Sequence, residues 1–314
     1  SMKWQVIGLD AMTDYYDVEL KKNRRQILKQ NKNFFSYTGL IQDQKILDKI
    51  YEEHKPNIFI HLAAQAGVRY SIDNPLSYVE SNLVGTFHIL EMARRYKPDH
   101  FLMASTSSIY GNNKDVPFDE NQKSDTPISF YAATKKSNEV MAHSYSHLFE
   151  IPTTIFRFFT VYGPWGRPDM AYYIFTASII KGIPIKIFNN GNMKRDFTYI
   201  DDVVDAIIKL ICKVPSKDSN FNFSSQSPAN SWAPFKIFNI GNSAPVKLMT
   251  FIKEIEYALD KKSEKIFMPI QPGDVEGTEA NIDSLYRWIG FTPKTTLKEG
   301  IIKFVDWYRD YYSV

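Results

Sequence analysis

The chain has 314 residues, with 38 lysines and arginines against 35 aspartates and glutamates, a formal net charge of +3. That length exceeds one minimal core and suits two packed lobes, while so small a charge excess gives no reason to expect a nucleic-acid partner. No run of about 20 apolar residues is present, so neither a transmembrane helix nor a membrane partner is expected. The densest basic run, Lys21-Lys22-Asn23-Arg24-Arg25, has no interleaved aromatics and reads as a solvated helix face. The first residues lack the charged-then-apolar layout of a secretory signal. A single cysteine, Cys212, follows the apolar pattern Ala206-Ile207-Ile208-Lys209-Leu210-Ile211 and is expected to be a buried structural thiol. These features fit a protein of the reducing cytoplasm with no metal site.

In chain order, Trp4–Asp10 reads as a strand ending on an acid, and Ile58–Ala64 as a buried strand running into small residues. A helix is expected from Asn74-Pro75, a capping side chain before a first-turn proline, towards Tyr96. Phe101–Ala104 is a short buried strand leading into Ser105-Thr106-Ser107-Ser108. Tyr131–Phe149 reads as a helix and Thr153–Phe158 as the next strand. Such alternation predicts an α/β fold, a doubly wound parallel sheet, with ligands beyond the carboxyl ends of its strands. After Gly163-Pro164-Trp165-Gly166 the rhythm breaks, which predicts a first domain over 1–164 and a smaller α/β lobe over 165–314. Parts of 199–241, including Phe235–Gly241, are expected to return to the first domain, and Pro215–Pro234 to be a surface excursion.

Tyr131 and Lys135 lie one helical turn apart on one face. A phenol with a pKa near ~10 is a poor base at neutral pH, and a nearby positive charge moves that value down. Spacing alone is weak evidence, because tyrosine and lysine meet by chance on many surface helices. The hydroxyl cluster Ser105-Thr106-Ser107-Ser108 at a preceding strand end adds groups able to hydrogen-bond the same substrate oxygen. Alone, that cluster is also a plain polar strand-to-loop turn.

Thr106, Tyr131 and Lys135, in this order and on these elements, resemble the extended short-chain dehydrogenase/reductases that act on nucleotide sugars. The resemblance covers nearly the whole chain. It implies a Rossmann-like fold, NAD as cofactor, and Tyr131, Lys135 and Thr106 as catalytic residues. It further implies cofactor contacts from Asp10 at the adenosine ribose, the small segment Leu62-Ala63-Ala64, Asn82, Phe158, Tyr131 and Lys135. Arg195, in Arg195-Asp196-Phe197-Thr198-Tyr199, matches an arginine that meets the diphosphate of a UDP-sugar. Homodimerisation through the helices that follow Asn74 and include Tyr131 is implied as well.

Asp14-Tyr15-Tyr16-Asp17-Val18, Gln65–Ser71, Arg157–Ala171 and Gln271–Val275 look like UDP-glucuronate 4-epimerases. That narrower likeness implies substrate contacts from Arg69, Ser107, Ser108, Thr160, Arg167, Phe188, Arg195 and Asp274. Cations and hydroxyls among these suit a uronate carboxylate. Related dehydratases follow the threonine with an Asp-Glu pair, and decarboxylases carry a glutamate two positions after it. Ser107 and Ser108 stand there instead, which points to epimerisation. A 4-epimerase of another UDP-hexose is the alternative within the class.

Two departures from the pattern bear on the cofactor. The family's opening strand and Gly-x-x-Gly-x-x-Gly turn are not found in the chain, and Trp4–Ile7 resembles the second strand. Without that central strand the sheet is expected to carry a gap. Leu40 also stands where relatives often carry an acid that meets the adenine. Both leave open a non-catalytic member that binds a sugar nucleotide without turning it over.

Overall fold

The structure, a computed structural model, describes residues 4–314. The chain runs β1 (Val6–Asp10), α1 (Val18–Lys29), β2 (Phe34–Thr38), α2 (Gln44–His54) and β3 (Ile58–His61). Next come the short helices α3 (Tyr70–Asp73) and α4 (Pro75–Tyr78), a π-helical turn over Val79–Val84, α5 (Gly85–Tyr96) and β4 (His100–Thr106). They are followed by α6 (Phe130–Phe149), β5 (Thr153–Phe158), β6 (Thr160–Tyr162), α7 (Ala171–Ile180), β7 (Ile185–Ile187), β8 (Lys194–Arg195) and β9 (Phe197–Tyr199). The remainder is α8 (Ile200–Ile211), β10 (Phe235–Ile240), β11 (Val246–Lys247), α9 (Leu248–Leu259), β12 (Lys265–Phe267), α10 (Asp283–Ile289) and α11 (Leu297–Tyr312).

The parallel strands expected from the sequence are present. β10, β5, β4 and β3 form a parallel sheet in that order, so Phe235–Ile240 does return to it. β4 is buried along its whole length, as a central strand covered on both faces must be. β1 and β2 pair in parallel as a separate two-stranded sheet, and among the described residues no ladder joins β1 to β3.

Helix termini follow the local chemistry. Asn74 accepts a hydrogen bond from the Ser77 amide ahead of Pro75, as a capping side chain does. The helix expected from there to Tyr96 is interrupted by the π-helical turn, which carries Asn82 inward. Its side chain accepts from the Gln65 amide at 2.8 Å and donates to the Gln65 carbonyl and the Thr134 hydroxyl, each at 3.0 Å. A π turn that re-aims one polar residue is a common device near functional sites. Ser129 caps α6 by accepting from the Ala132 amide.

Aromatic and branched side chains from α7, α9 and α11 form a second core around Tyr162, Phe197, Phe251 and Phe304. α8 packs differently: Val203, Ala206 and Leu210 lie against Leu102, Phe156 and Phe238 of the main sheet. Two expectations need correction. Cys212 is exposed, because it stands at the C-cap of α8, one position past the buried Leu210 and Ile211. The segment 215–234 is not wholly a surface excursion either. Ala229 and Ala233 join the core under α6, and Ser231 accepts or donates at His143 Nε2 across 2.7 Å.

A buried polar network binds α6 to the sheet. Arg157 of β5 is fully buried and grips both carboxylate oxygens of Glu139, with Nε and Nη2 each donating at 2.9 Å. Ser105 of β4 donates to the same carboxylate at 2.6 Å. The remaining Arg157 fork donates to the Tyr110 hydroxyl, which in turn donates to the Asn239 side chain of β10 at 2.7 Å. Asn239 donates its backbone amide to Glu120 at 2.7 Å. Gly111 follows Tyr110 with a φ of +59°, and a Cβ there would lie 2.3 Å from the Thr126 carbonyl, so only glycine lets the chain turn here.

Glu120 is the loose end of this network, since its Oε2 has no hydrogen-bond partner among the described residues. Burial pushes its pKa from an ordinary 4.5 up to about 7, against the amide of Asn239 and the charge of Arg157. The unfolded chain ionises this carboxyl near 4.5, whereas the folded chain keeps the proton to about 7. Stability is therefore lost as pH rises between those values, and the whole loss is present above the folded value. Glu120→Gln keeps an acceptor for the Asn239 amide without the charge. Thermal unfolding is expected to show a larger gain over the parent at pH 8 than at pH 5, by at most about 3 kcal/mol. An equal effect at both pH values would remove the assigned titration.

Candidate active site

The carboxyl ends of β3, β4 and β5 and the first two turns of α6 meet at one place. β4 delivers Thr106, whose register partner on β5 is Phe158. The strand continues into a 3₁₀ turn over Ser107–Tyr110, so the hydroxyl cluster begins within the strand rather than after it. The Thr106 hydroxyl accepts from the Ser108 amide and donates to the Ser108 hydroxyl, both at 3.2 Å. It also reaches the Tyr131 phenol, which is packed edge-on against Tyr78 at 6.0 Å between ring centroids.

Burial raises the Tyr131 pKa above its ordinary value, while the Arg167 guanidinium and the Thr106 hydroxyl pull the other way. The Tyr131–Lys135 spacing predicts a lowered phenol with Lys135 as the cause. In the structure desolvation wins, and Arg167 is the cation that opposes it. Lys135 itself is buried at 3% exposure, and burial lowers its pKa to about 8, with the Glu139 carboxylate one turn along α6 acting in the opposite direction. Among the described residues none hydrogen-bonds its ammonium. The Lys135 charge is felt by His61 at the end of β3, which burial and Lys135 together push down to about 3. His61 is thus neutral and held to the buried Thr86 hydroxyl at 2.9 Å.

Beyond His61, Leu62, Ala63 and Ala64 are exposed although they continue a buried strand. An open apolar strip at the carboxyl end of a parallel strand is where a flat ligand lies in such sheets. Asp10 ends β1, is exposed, and accepts from the Met12 amide at 2.7 Å. Asn82 does not face this strip as a free amide; it is wholly buried and spends both ends on bracing the Gln65 loop against α6.

A second group of predicted residues comes together on the lobe side. Arg69 pairs with Asp274 at 3.0 Å and lies over the Phe188 ring at 4.9 Å. Arg195 donates to the carbonyls of Lys194 and Glu276. Burial lowers the Arg195 pKa, with Asp274 opposing and Arg69 assisting, so the two arginines and the acid share one neighbourhood. Thr160 stands on β6 beside this region, its amide donating to the Asp196 carbonyl at 3.1 Å. Arg167 is close enough to Tyr131, Tyr78 and Tyr15 to act on each phenol.

Several residues at the site had no role from sequence alone. Glu139 stands four positions after Lys135 on the same helix face, a spacing that could have marked it as a partner of that charge. Tyr15 and Asp169 carry no such signal, because they meet only through the fold, with the Tyr15 hydroxyl donating to Asp169 at 3.1 Å. No cluster of histidine, cysteine or acidic side chains able to hold a metal occurs among the described residues.

Residues 1–304 match the family model described as GDP-mannose 4,6 dehydratase. The chain belongs to this family of NAD-dependent epimerases and dehydratases. It is 49% identical to protein CapI of Staphylococcus aureus over 309 residues, 98% of this chain and 92% of that protein. It is 48% identical over 308 residues to a probable UDP-glucuronate 4-epimerase of Rhizobium meliloti, covering 98% of this chain and 90% of the relative. The crystal structure of UDP-glucuronic acid 4-epimerase from Bacillus cereus, in complex with UDP-glucuronic acid and NAD, superposes with a TM-score of 0.86 at 29% identity. That match spans 98% of this chain and 92% of the other.

The charge of Lys135 is set by a balance between burial and Glu139, and this can be tested without ligand. The double variant Glu139→Gln/Arg157→Met removes both members of the buried pair together, so neither is left charged without the other. NMR titration of carbon-labelled lysine is expected to find Lys135 losing its proton below the parent value of about 8. An unchanged titration would show that Glu139 does not act on it.

Proposed function

We propose that the protein epimerises carbon 4 of a UDP-sugar with NAD as cofactor, converting UDP-glucuronate to UDP-galacturonate through a transient 4-keto sugar. The observation that carries this reading is the convergence of Tyr131, Lys135 and Thr106 beside Arg167, with hydroxyls alone following Thr106. The relatives support it: the R. meliloti protein bears the same activity in its name, and the B. cereus enzyme holds both ligands.

The residues present fit NAD. The exposed strip Leu62-Ala63-Ala64, the Asp10 carboxylate and the Lys135 ammonium, which no group among the described residues hydrogen-bonds, provide a flat apolar floor, a ribose acceptor and a donor. Phe158 closes the end of β5 beside them. Bound NAD supplies the hydride acceptor and donor. Tyr131 takes the proton from the carbon 4 hydroxyl as hydride leaves that carbon, and returns it once the sugar has presented its other face. Thr106 shares a hydrogen bond with the reacting oxygen, and Lys135 keeps its positive charge one helical turn after Tyr131 on α6. Arg195 and Arg69 serve the diphosphate, Phe188 offers its ring to the base, and Asp274 holds Arg69 in place. Ser107, Ser108, Thr160 and Arg167 receive the uronate carboxylate.

In this reading residues 1–164 hold the cofactor and 165–314 mainly the sugar nucleotide, with α8 and β10 returning to the first unit. A second copy of the chain covers the apolar face of the helices. Ile72, Leu76, Val84 and Phe87 along α3 to α5, and Val140 and Leu148 on α6, are exposed large apolar side chains of the kind that mark such interfaces. Light scattering is expected to give twice the chain mass of 36.4 kDa. A monomer at micromolar concentration would remove the dimer.

With NAD added, NMR of UDP-glucuronate is expected to show conversion to the 4-epimer. Tyr131→Phe should lower turnover at least ~100-fold while UDP-glucuronate binding persists. Full turnover in that variant would refute Tyr131 as the base. Conversion of UDP-glucose but not of UDP-glucuronate by the parent would move the activity to a neutral UDP-hexose.

A further inference from the structure

Arg167 has a partner before any ligand arrives. Its Nη2 donates to Asp169 Oδ2 at 3.2 Å, and the same oxygen accepts from the Tyr15 hydroxyl at 3.1 Å. Arg167 and Asp169 lie on the loop between β6 and α7, whereas Tyr15 lies on the connection from β1 to α1. That connection is fastened independently. Arg24 donates to the Trp165 carbonyl at 3.2 Å and the Tyr16 hydroxyl at 2.6 Å, and Lys21 donates to the Thr13 carbonyl at 2.7 Å. The Tyr15 ring packs on Tyr70 at 4.8 Å, and its hydroxyl sits where a Cβ on Gly67 would lie 2.8 Å away. Tyr15 is thus a placed donor, not a wandering side chain.

We propose that Asp169 is a resident counter-ion that occupies Arg167 in place of the substrate's carboxylate, and that Tyr15 keeps hold of Asp169 when a uronate displaces it. Carboxylate recognition then becomes an exchange of anions at one guanidinium. This rests on the reading that Arg167 meets the uronate carboxylate. The physical case has three parts. The Arg167–Asp169 contact is single, stretched and about 30% exposed on both sides, so it costs little to break. Two carboxylates on one guanidinium repel each other, so the incoming one weakens the resident one. Tyr15 already bonds the displaced oxygen, which leaves Asp169 with a donor after Arg167 has gone. A neutral hexose brings no anion, leaves the pair intact and gains nothing from Arg167. Asp169 therefore moderates the preference for charged over neutral sugars, because it competes with the anionic one alone.

The test is calorimetric binding of UDP-glucuronate and of UDP-glucose to the NAD-loaded protein. Asp169→Asn is expected to tighten UDP-glucuronate about 2- to 5-fold and to leave UDP-glucose unchanged, the size of an exposed ion pair. Tyr15→Phe should weaken UDP-glucuronate alone, and lose that effect when combined with Asp169→Asn, because the two act through one oxygen. Weaker UDP-glucuronate binding in Asp169→Asn would overturn the exchange and make Asp169 a support for Arg167. An equal change for both ligands would overturn it too. Arg167→Gln separates the underlying reading: selective loss of UDP-glucuronate upholds it, and equal binding of both ligands as in the parent sinks it together with the exchange.

Discussion

The pair between Arg157 and Glu139 is the constraint on which the site depends. It ties the middle of α6 to β5 with two charge-assisted hydrogen bonds in a region closed to water. Burial works against both charges, yet Glu139 keeps its pKa below the ordinary carboxylate value and Arg157 is held above its own. Such a pair earns little net stability over an apolar substitute. What it provides is position. Ser105 bonds the same carboxylate from β4, so the strand that ends in Thr106 and the helix that begins with Tyr131 are registered through one group.

The same pair governs the electrostatics one turn away. Lys135 is nearly as buried as Glu139, and an ammonium in that setting loses its proton easily. Glu139 supports the charge, but Arg157 takes both its oxygens, so the support is partial. The lysine is left with a pKa of about 8, poised close to neutrality. A full ion pair would have locked it charged and engaged its donors. Sharing the carboxylate keeps the ammonium free for a ligand while holding most of its charge at neutral pH.

Much of the fold was legible because periodicity and capping are local. Thr153–Phe158 is the strand expected from its apolar run, and Asn74-Pro75 does begin a helix. What was not legible came from contacts distant in sequence. The π turn at Val79–Val84 arises because Asn82 bonds Gln65 and Thr134, and no spacing within the helix announces that. Cys212 followed an apolar helix pattern by one residue and fell just outside it. At the site, resemblance singled out Arg69, Phe188, Arg195 and Asp274, and the fold brings them together. The sign of the Tyr131 shift could not be read, since it depends on how completely the phenol is dehydrated, a property of the surrounding loops.

A pattern runs through the cationic groups of the site. Arg69 is met by Asp274 and Arg167 by Asp169, each through a single guanidinium nitrogen at 3.0 to 3.2 Å. Arg157, which has a purely internal task, is met bidentately and out of solvent. One arginine chemistry thus divides into two uses by geometry. A bidentate buried contact leaves no donor for a ligand and holds the backbone in place. A monodentate, solvent-touched contact leaves most of the fork open and can be outcompeted by phosphate or carboxylate. A cleft for a substrate carrying several negative charges would otherwise expose unpaired cations that attract any anion. Resident acids lower that indiscriminate attraction: Asp274 and Asp169 each offset part of a guanidinium's charge while leaving most of its donors open.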